Sequence, residues 1–73
     1  MITRDFHGWK PAGVEIEVDH IVGSVRMTHE IKYAEFITGN GVNKQTVVRV
    51  LKEYGIEGQS KLGNSGVIVA TIE

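Results

Sequence analysis

The chain has 73 residues, 41% hydrophobic and 23% charged, with no cysteine and a formal net charge of -1. One small core is possible at that length, hiding only about 60% of the surface of the unfolded chain, and a disulfide scaffold, a zinc–thiolate centre and a cysteine nucleophile are excluded. No stretch approaches the ~20 apolar residues of a membrane span, and Met1-Ile2-Thr3-Arg4-Asp5 lacks the basic-then-apolar layout of a signal peptide. A cytoplasmic protein is the expectation. Glycine is in excess, 9 residues where average usage gives about five. The small net charge hides an asymmetry: Glu15, Glu17 and Asp19 form an acidic run, whereas Thr38 to Lys52 contains no acid and carries Lys44, Arg49 and Lys52. That basic region reads either as a local attractor of phosphate or as a solvated helix face.

Ile2 to Phe6 predicts a strand, with Ile2, Arg4 and Phe6 on one face and Thr3, Asp5 and His7 on the other. Trp9 to Thr28 is ambiguous. Val14 to Asp19 alternates like a strand, yet Val14, Val18, Ile21, Val22 and Val25 fall on one helical stripe. The stripe organises more of the chain, and Pro11 suits the first helical position. Trp9 would then precede the N-cap and pair with Val14 as a hydrophobic staple. Ile31 to Thr38 predicts an interior strand, with Ile31, Tyr33 and Ile37 on one face and Ala34 and Phe36 on the other. Gly39-Asn40-Gly41 ends it. Asn43 is the expected N-cap of a second helix that carries Val47, Val48, Val50, Leu51 and Tyr54 on its stripe and ends at Gly55. Ile56 to Leu62 reads as a weak strand, Gly63 to Gly66 as a turn and Val67 to Ile72 as a strand apolar on both faces.

The order βαβαββ predicts two right-handed βα units and a closing hairpin. The expected fold is α/β, a two-layer α+β arrangement: a four-stranded sheet with both helices on one face and the other face open to a partner.

Gly39 and Gly41 lie between the second strand and the second helix, where glycine permits close backbone approach. The helix N-terminus offers unpaired N–H groups and a partial positive charge, and Lys44 stands in its first turn. A tight βα turn is the plainer reading of the same residues. The pattern lacks the Gly-Lys-Ser/Thr of a Walker loop and the third glycine of a dinucleotide fingerprint. Parallel pairing of the first two strands would bring Asp5-Phe6-His7-Gly8 and Thr38-Gly39-Asn40-Gly41 to one sheet edge, the ligand-binding edge of open α/β sheets.

These two segments resemble the signatures of the Smr (small MutS-related) domain. Arg4-Asp5-Phe6-His7-Gly8 is similar to its Leu-Asp-x-His-Gly, with arginine for leucine, and Thr38-Gly39-Asn40-Gly41 to its His-Gly-x-Gly, with threonine for histidine. The interval, the helix within it and the closing turn and strand agree from Ile2 to Glu73. The resemblance implies a stand-alone Smr domain with a fold like the C-terminal domain of translation initiation factor three, a mixed sheet ordered 1-2-4-3 with strand four antiparallel. It also implies binding to DNA or RNA, branched or structured, with weak nicking or endonuclease activity. Asp5 and His7 are then the catalytic candidates, Asp5 also as ligand of Mg2+ or Mn2+ or as the group that orients water, and His7 as general acid or base. Arg4, Lys10, Thr38, Gly39, Asn40, Gly41, Lys44 and Arg49 are the candidates for holding nucleic acid, joined by Lys61. Thr38 can donate a hydrogen bond but does not titrate near neutrality. A non-catalytic DNA- or RNA-binding module and a protein adaptor using the open sheet face are the alternatives. His20 and His29 share no ligand spacing and read as surface or structural residues.

Overall fold

The periodicities above set the elements of the computed structural model, which describes residues 1–73. In chain order these are β1 (Ile2–Asp5), α1 (Pro11–Met27), β2 (Lys32–Ile37), α2 (Val42–Glu53), β3 (Gln59–Lys61) and β4 (Asn64–Ile72). Pro11 opens α1 directly after the N-cap Lys10, and all five stripe residues from Val14 to Val25 are buried. Ile16, which only an alternating strand would have hidden beside Val14 and Val18, is 71% exposed. The ring of Trp9 meets Phe6 edge-on at 5.1 Å and lies over Gly13, where an added Cβ would come within 3.5 Å of it.

Helix α2 ends as a glycine in the left-handed region demands. Gly55 has φ 76°, its N–H donates to the Lys52 carbonyl at 2.9 Å, and the Ile56 N–H donates to the Leu51 carbonyl at 2.9 Å. This is the Schellman pattern, completed by the burial of Ile56 in the same core as Leu51. Because Ile56 is drawn into the core, the strand expected from Ile56 to Leu62 shrinks to Gln59–Lys61. Strand β4 extends back to Asn64, through the turn expected at Gly63 to Gly66.

The sheet order is β1-β2-β4-β3. Strands β1 and β2 are parallel, with Asp5 opposite Ile37. Strand β4 runs antiparallel to both β2 and β3, so the expected topology is the one observed. Ala34, Phe36, Ile68, Ala70 and Ile72 line the helix side and join Phe6 and the helical stripes in one core cluster. Phe6 and Phe36 stack with centroids 5.9 Å apart; truncating such a buried ring to alanine costs about 3–5 kcal/mol. The opposite face is bare: Tyr33 is 42% and Ile37 38% exposed. A Lys61–Glu35 ion pair of 3.1 Å bridges β3 and β2. No helix is long and apolar enough to cross a membrane.

Candidate functional site

Parallel pairing makes β1 and β2 release their chains at the same sheet edge. The Phe6 N–H continues the ladder to the Ile37 carbonyl at 2.9 Å. Beyond it the main chain turns sharply, held by two bonds: the His7 N–H donates to Oδ1 of Asp5 at 2.9 Å, and the Trp9 N–H to the Phe6 carbonyl at 3.0 Å. The strand stops at Asp5, so Asp5 and His7 do not share a strand face as the alternation predicts. The carboxylate folds back on the main chain and holds His7 in a turn. Both side chains stay exposed.

Asn43 is not the N-cap. The cap is Gly41, which brings no side chain to the first-turn N–H groups, and Asn43 stands inside the first turn of α2. Its Nδ2 donates instead to the Trp9 carbonyl at 2.9 Å and the Phe6 carbonyl at 3.4 Å. One amide thus ties the turn after β1 to the start of α2, while its Oδ1 is buried without a partner. The only sequence signal for this contact is a polar amide next to a glycine loop, which equally signals a cap.

The loop after β2 is fixed from the other side. The N–H groups of Thr38 and Gly39 both donate to the Gly66 carbonyl, at 2.9 and 3.0 Å. The Thr38 hydroxyl lies 2.9 Å from the Gly39 carbonyl and 3.3 Å from that of Gly66. These donors are therefore engaged within the chain. The N–H groups of Asn40, Gly41, Val42 and Asn43 have no backbone acceptor.

Asn40, Gly41, Lys44, Arg49 and Lys52 line one shallow depression that contains no acidic residue. Lys44, Lys52 and Lys10 form no ion pair, whereas Arg4 and Arg49 do. Arg49 bridges Glu15 of α1 at 2.9 Å and Glu53 of α2 at 3.0 Å. Hydrogen bonding to Glu15, then to Glu53, raises its already high proton affinity. Arg4 donates to Glu17 at 2.9 Å and to the Thr3 carbonyl at 3.0 Å. It lies on the helix side of β1, opposite the face that carries Asp5. Lys61 is held by Glu35 on the open face.

Six of the expected residues therefore fall into two neighbouring groups. Asp5 and His7 form a turn, and Asn40, Gly41, Lys44 and Arg49 belong to the depression beside it, with Asn43 joining the two. Asp5 belongs to no cluster of three or more His, Asp or Glu side chains, which does not fit a metal held by protein ligands alone. His20 and His29 belong to none either.

No protein-family model, curated protein or solved structure matches the chain. What the edge can do follows from its donors. Four free N–H groups at a helix start, with two unpaired ammonium groups on the same side, suit an anion of several oxygens, as a phosphate is.

Proposed function

We propose that this domain is a cytoplasmic nucleic-acid-binding module of the Smr type, which holds the phosphate backbone of structured or branched DNA or RNA at the β2–α2 loop and along α2. The observation that carries this reading is the depression of Asn40, Gly41, Lys44 and Lys52, free of acids and set against the uncapped start of α2. The two lysines stand eight residues apart on one helix face, about 12 Å at 1.5 Å per residue, so they suit two phosphates of one backbone rather than a single ion. With only two or three such contacts, affinity is modest and depends on the shape of the nucleic acid.

Fluorescence anisotropy of a labelled RNA hairpin and a four-way DNA junction, titrated with the full chain between 50 and 200 mM KCl, tests this. Release of about two to three counterions gives a log–log salt slope of about -2 to -3, and Lys44→Gln or Lys52→Gln flattens it by about one each. A slope near zero, or one that ignores both lysines, refutes it.

A nicking activity is the second reading, favoured by the Asn43 tie that holds the Asp5–His7 turn beside the phosphate-binding loop. Asp5 would orient the attacking water with its second oxygen, and the His7 imidazole would protonate the leaving oxygen. Asp5 is a single carboxylate, so a Mg2+ or Mn2+ there would need the phosphate of the nucleic acid as a further ligand.

A further inference from the structure

A groove opens at the sheet end remote from the phosphate-binding loop. Its floor is the last stretch of β4, and its far wall is the strap from Gly55 to Gln59. Backbone direction alternates along β4. The Gly66 carbonyl points to β2, where it meets Thr38 and Gly39, so Ile68, Ala70 and Ile72 also address β2, while Val67, Val69 and Thr71 address the β3 side. Gln59 pairs with Val69, and there β3 begins. Glu57, the residue that would pair with Thr71, lies in the strap, and no backbone hydrogen bond joins them.

The cause lies in the packing. Ile56 is buried in the core, and Gly58 fits so closely that a Cβ there would stand 3.0 Å from Leu51 and 3.1 Å from Ile68. The strap is drawn against α2 and leaves the N–H and C=O of Thr71 on an open edge. Such an edge is a template for one more strand.

The charges around this edge select the occupant. Glu57 and Glu73 line the groove, and neither side-chain carboxylate forms an ion pair, although Oε1 of Glu57 accepts from Nε2 of Gln59 at 3.0 Å. Arg26, the one basic residue there, is engaged: it donates to the Tyr54 carbonyl at 2.8 Å and the Glu73 carbonyl at 3.1 Å and lies 5.2 Å from the centre of the Tyr54 ring. Two unpaired carboxylates repel a polyanion and suit a basic side chain. We infer that the Thr71 edge of β4 receives an extended, lysine- or arginine-bearing segment of a partner polypeptide, which adds a strand in line with β3 and sets its basic side chain between Glu57 and Glu73. Main-chain hydrogen bonds supply the affinity of this mode and the pocket beside the edge supplies the choice of side chain. The inference is independent of nucleic-acid binding at the opposite edge.

The probes are two seven-residue peptides, alternating lysine–valine and alternating glutamate–valine, titrated into the 15N-labelled full chain. The lysine peptide is expected to shift the Thr71 amide and slow its hydrogen exchange, and the glutamate peptide to leave it unmoved. Glu57→Gln with Glu73→Gln should weaken the lysine peptide about fivefold, the loss of two exposed ion pairs. Thr71→Pro should abolish binding; should that variant fail to fold, the carboxylate variants still decide. An unmoved Thr71 amide, or shifts confined to α2, overturns the inference. So does protection of Thr71 that rises with protein concentration without peptide, since a second copy then fills the edge.

Discussion

Gly66 of β4 lies directly against Gly39 of the β2–α2 loop: a Cβ at Gly66 would stand 3.2 Å from the Gly39 Cα, and the Gly66 carbonyl receives the N–H groups of both Thr38 and Gly39. The loop is thus positioned from β4, 27 residues further along the chain. Gly66→Ala should cost about 1–3 kcal/mol by overpacking and displace the loop. Gly39→Ala meets nothing within 4 Å but stands at φ 69°, so it should cost about 1–2 kcal/mol through the backbone alone. Urea melts should show both losses. Only Gly66→Ala is expected also to move the amide signals of Gly41 and Val42, and equal movement in both variants would refute this positioning role.

The Asn43 amide joins two segments that no regular element connects. Asn43→Ala leaves the Trp9 and Phe6 carbonyls without this donor, a loss of about 1–3 kcal/mol. Asn43→Asp places a carboxylate against the same two oxygens and should destabilise more. The chain has a single tryptophan and it lies within the tethered turn, so its fluorescence reports the loosening directly. An unchanged emission spectrum in both variants would show that the turn holds without Asn43.

The architecture was legible because it rests on periodicity. Five apolar residues from Val14 to Val25 on one stripe specify α1 even though glycines and β-branched residues weaken its intrinsic propensity, and every one of them is buried. Ala34 and Phe36 against Tyr33 and Ile37 specify β2 and its two faces in the same way. Periodicity does not carry long-range polar contacts. Asn43 beside a glycine loop has the local signature of an N-cap, and only the distant Phe6 and Trp9 carbonyls divert it. Gly13 and Gly58 have no local reason at all: one lies under Trp9, the other between Leu51 and Ile68. Arg4 and Arg49 are basic in sequence, yet Glu17 on one side and Glu15 and Glu53 on the other engage them.

Arg49 is therefore held back from any polyanion by two carboxylates of its own chain. Glu15→Gln with Glu53→Gln frees the guanidinium at the rim of the depression without touching the core, since both glutamates are exposed. The proposed nucleic-acid binding should tighten and its log–log salt slope steepen by about one. Arg49→Gln added to that pair should return the slope to that of the parent chain. A slope that does not move with the double substitution would place the nucleic acid away from Arg49.

The nicking role proposed for Asp5 separates from its structural role by one atom. Oδ1 accepts the His7 N–H and shapes the turn, so Asp5→Asn retains an acceptor oxygen for that bond and removes only the charge, whereas Asp5→Ala removes both. If the carboxylate orients water for attack, Asp5→Asn should lower nicking of supercoiled plasmid by about a hundredfold or more, the scale of lost general acid–base catalysis. Its thermal stability should remain that of the parent. Affinity for the DNA junction should hold or rise, because a negative charge leaves the neighbourhood of the phosphate. His7→Gln should lower the rate on the same scale. If Asp5→Asn nicks as fast as the parent while Asp5→Ala does not, the residue acts by holding the turn. Nicking by both variants at the parent's rate would show that Asp5 takes no part in it.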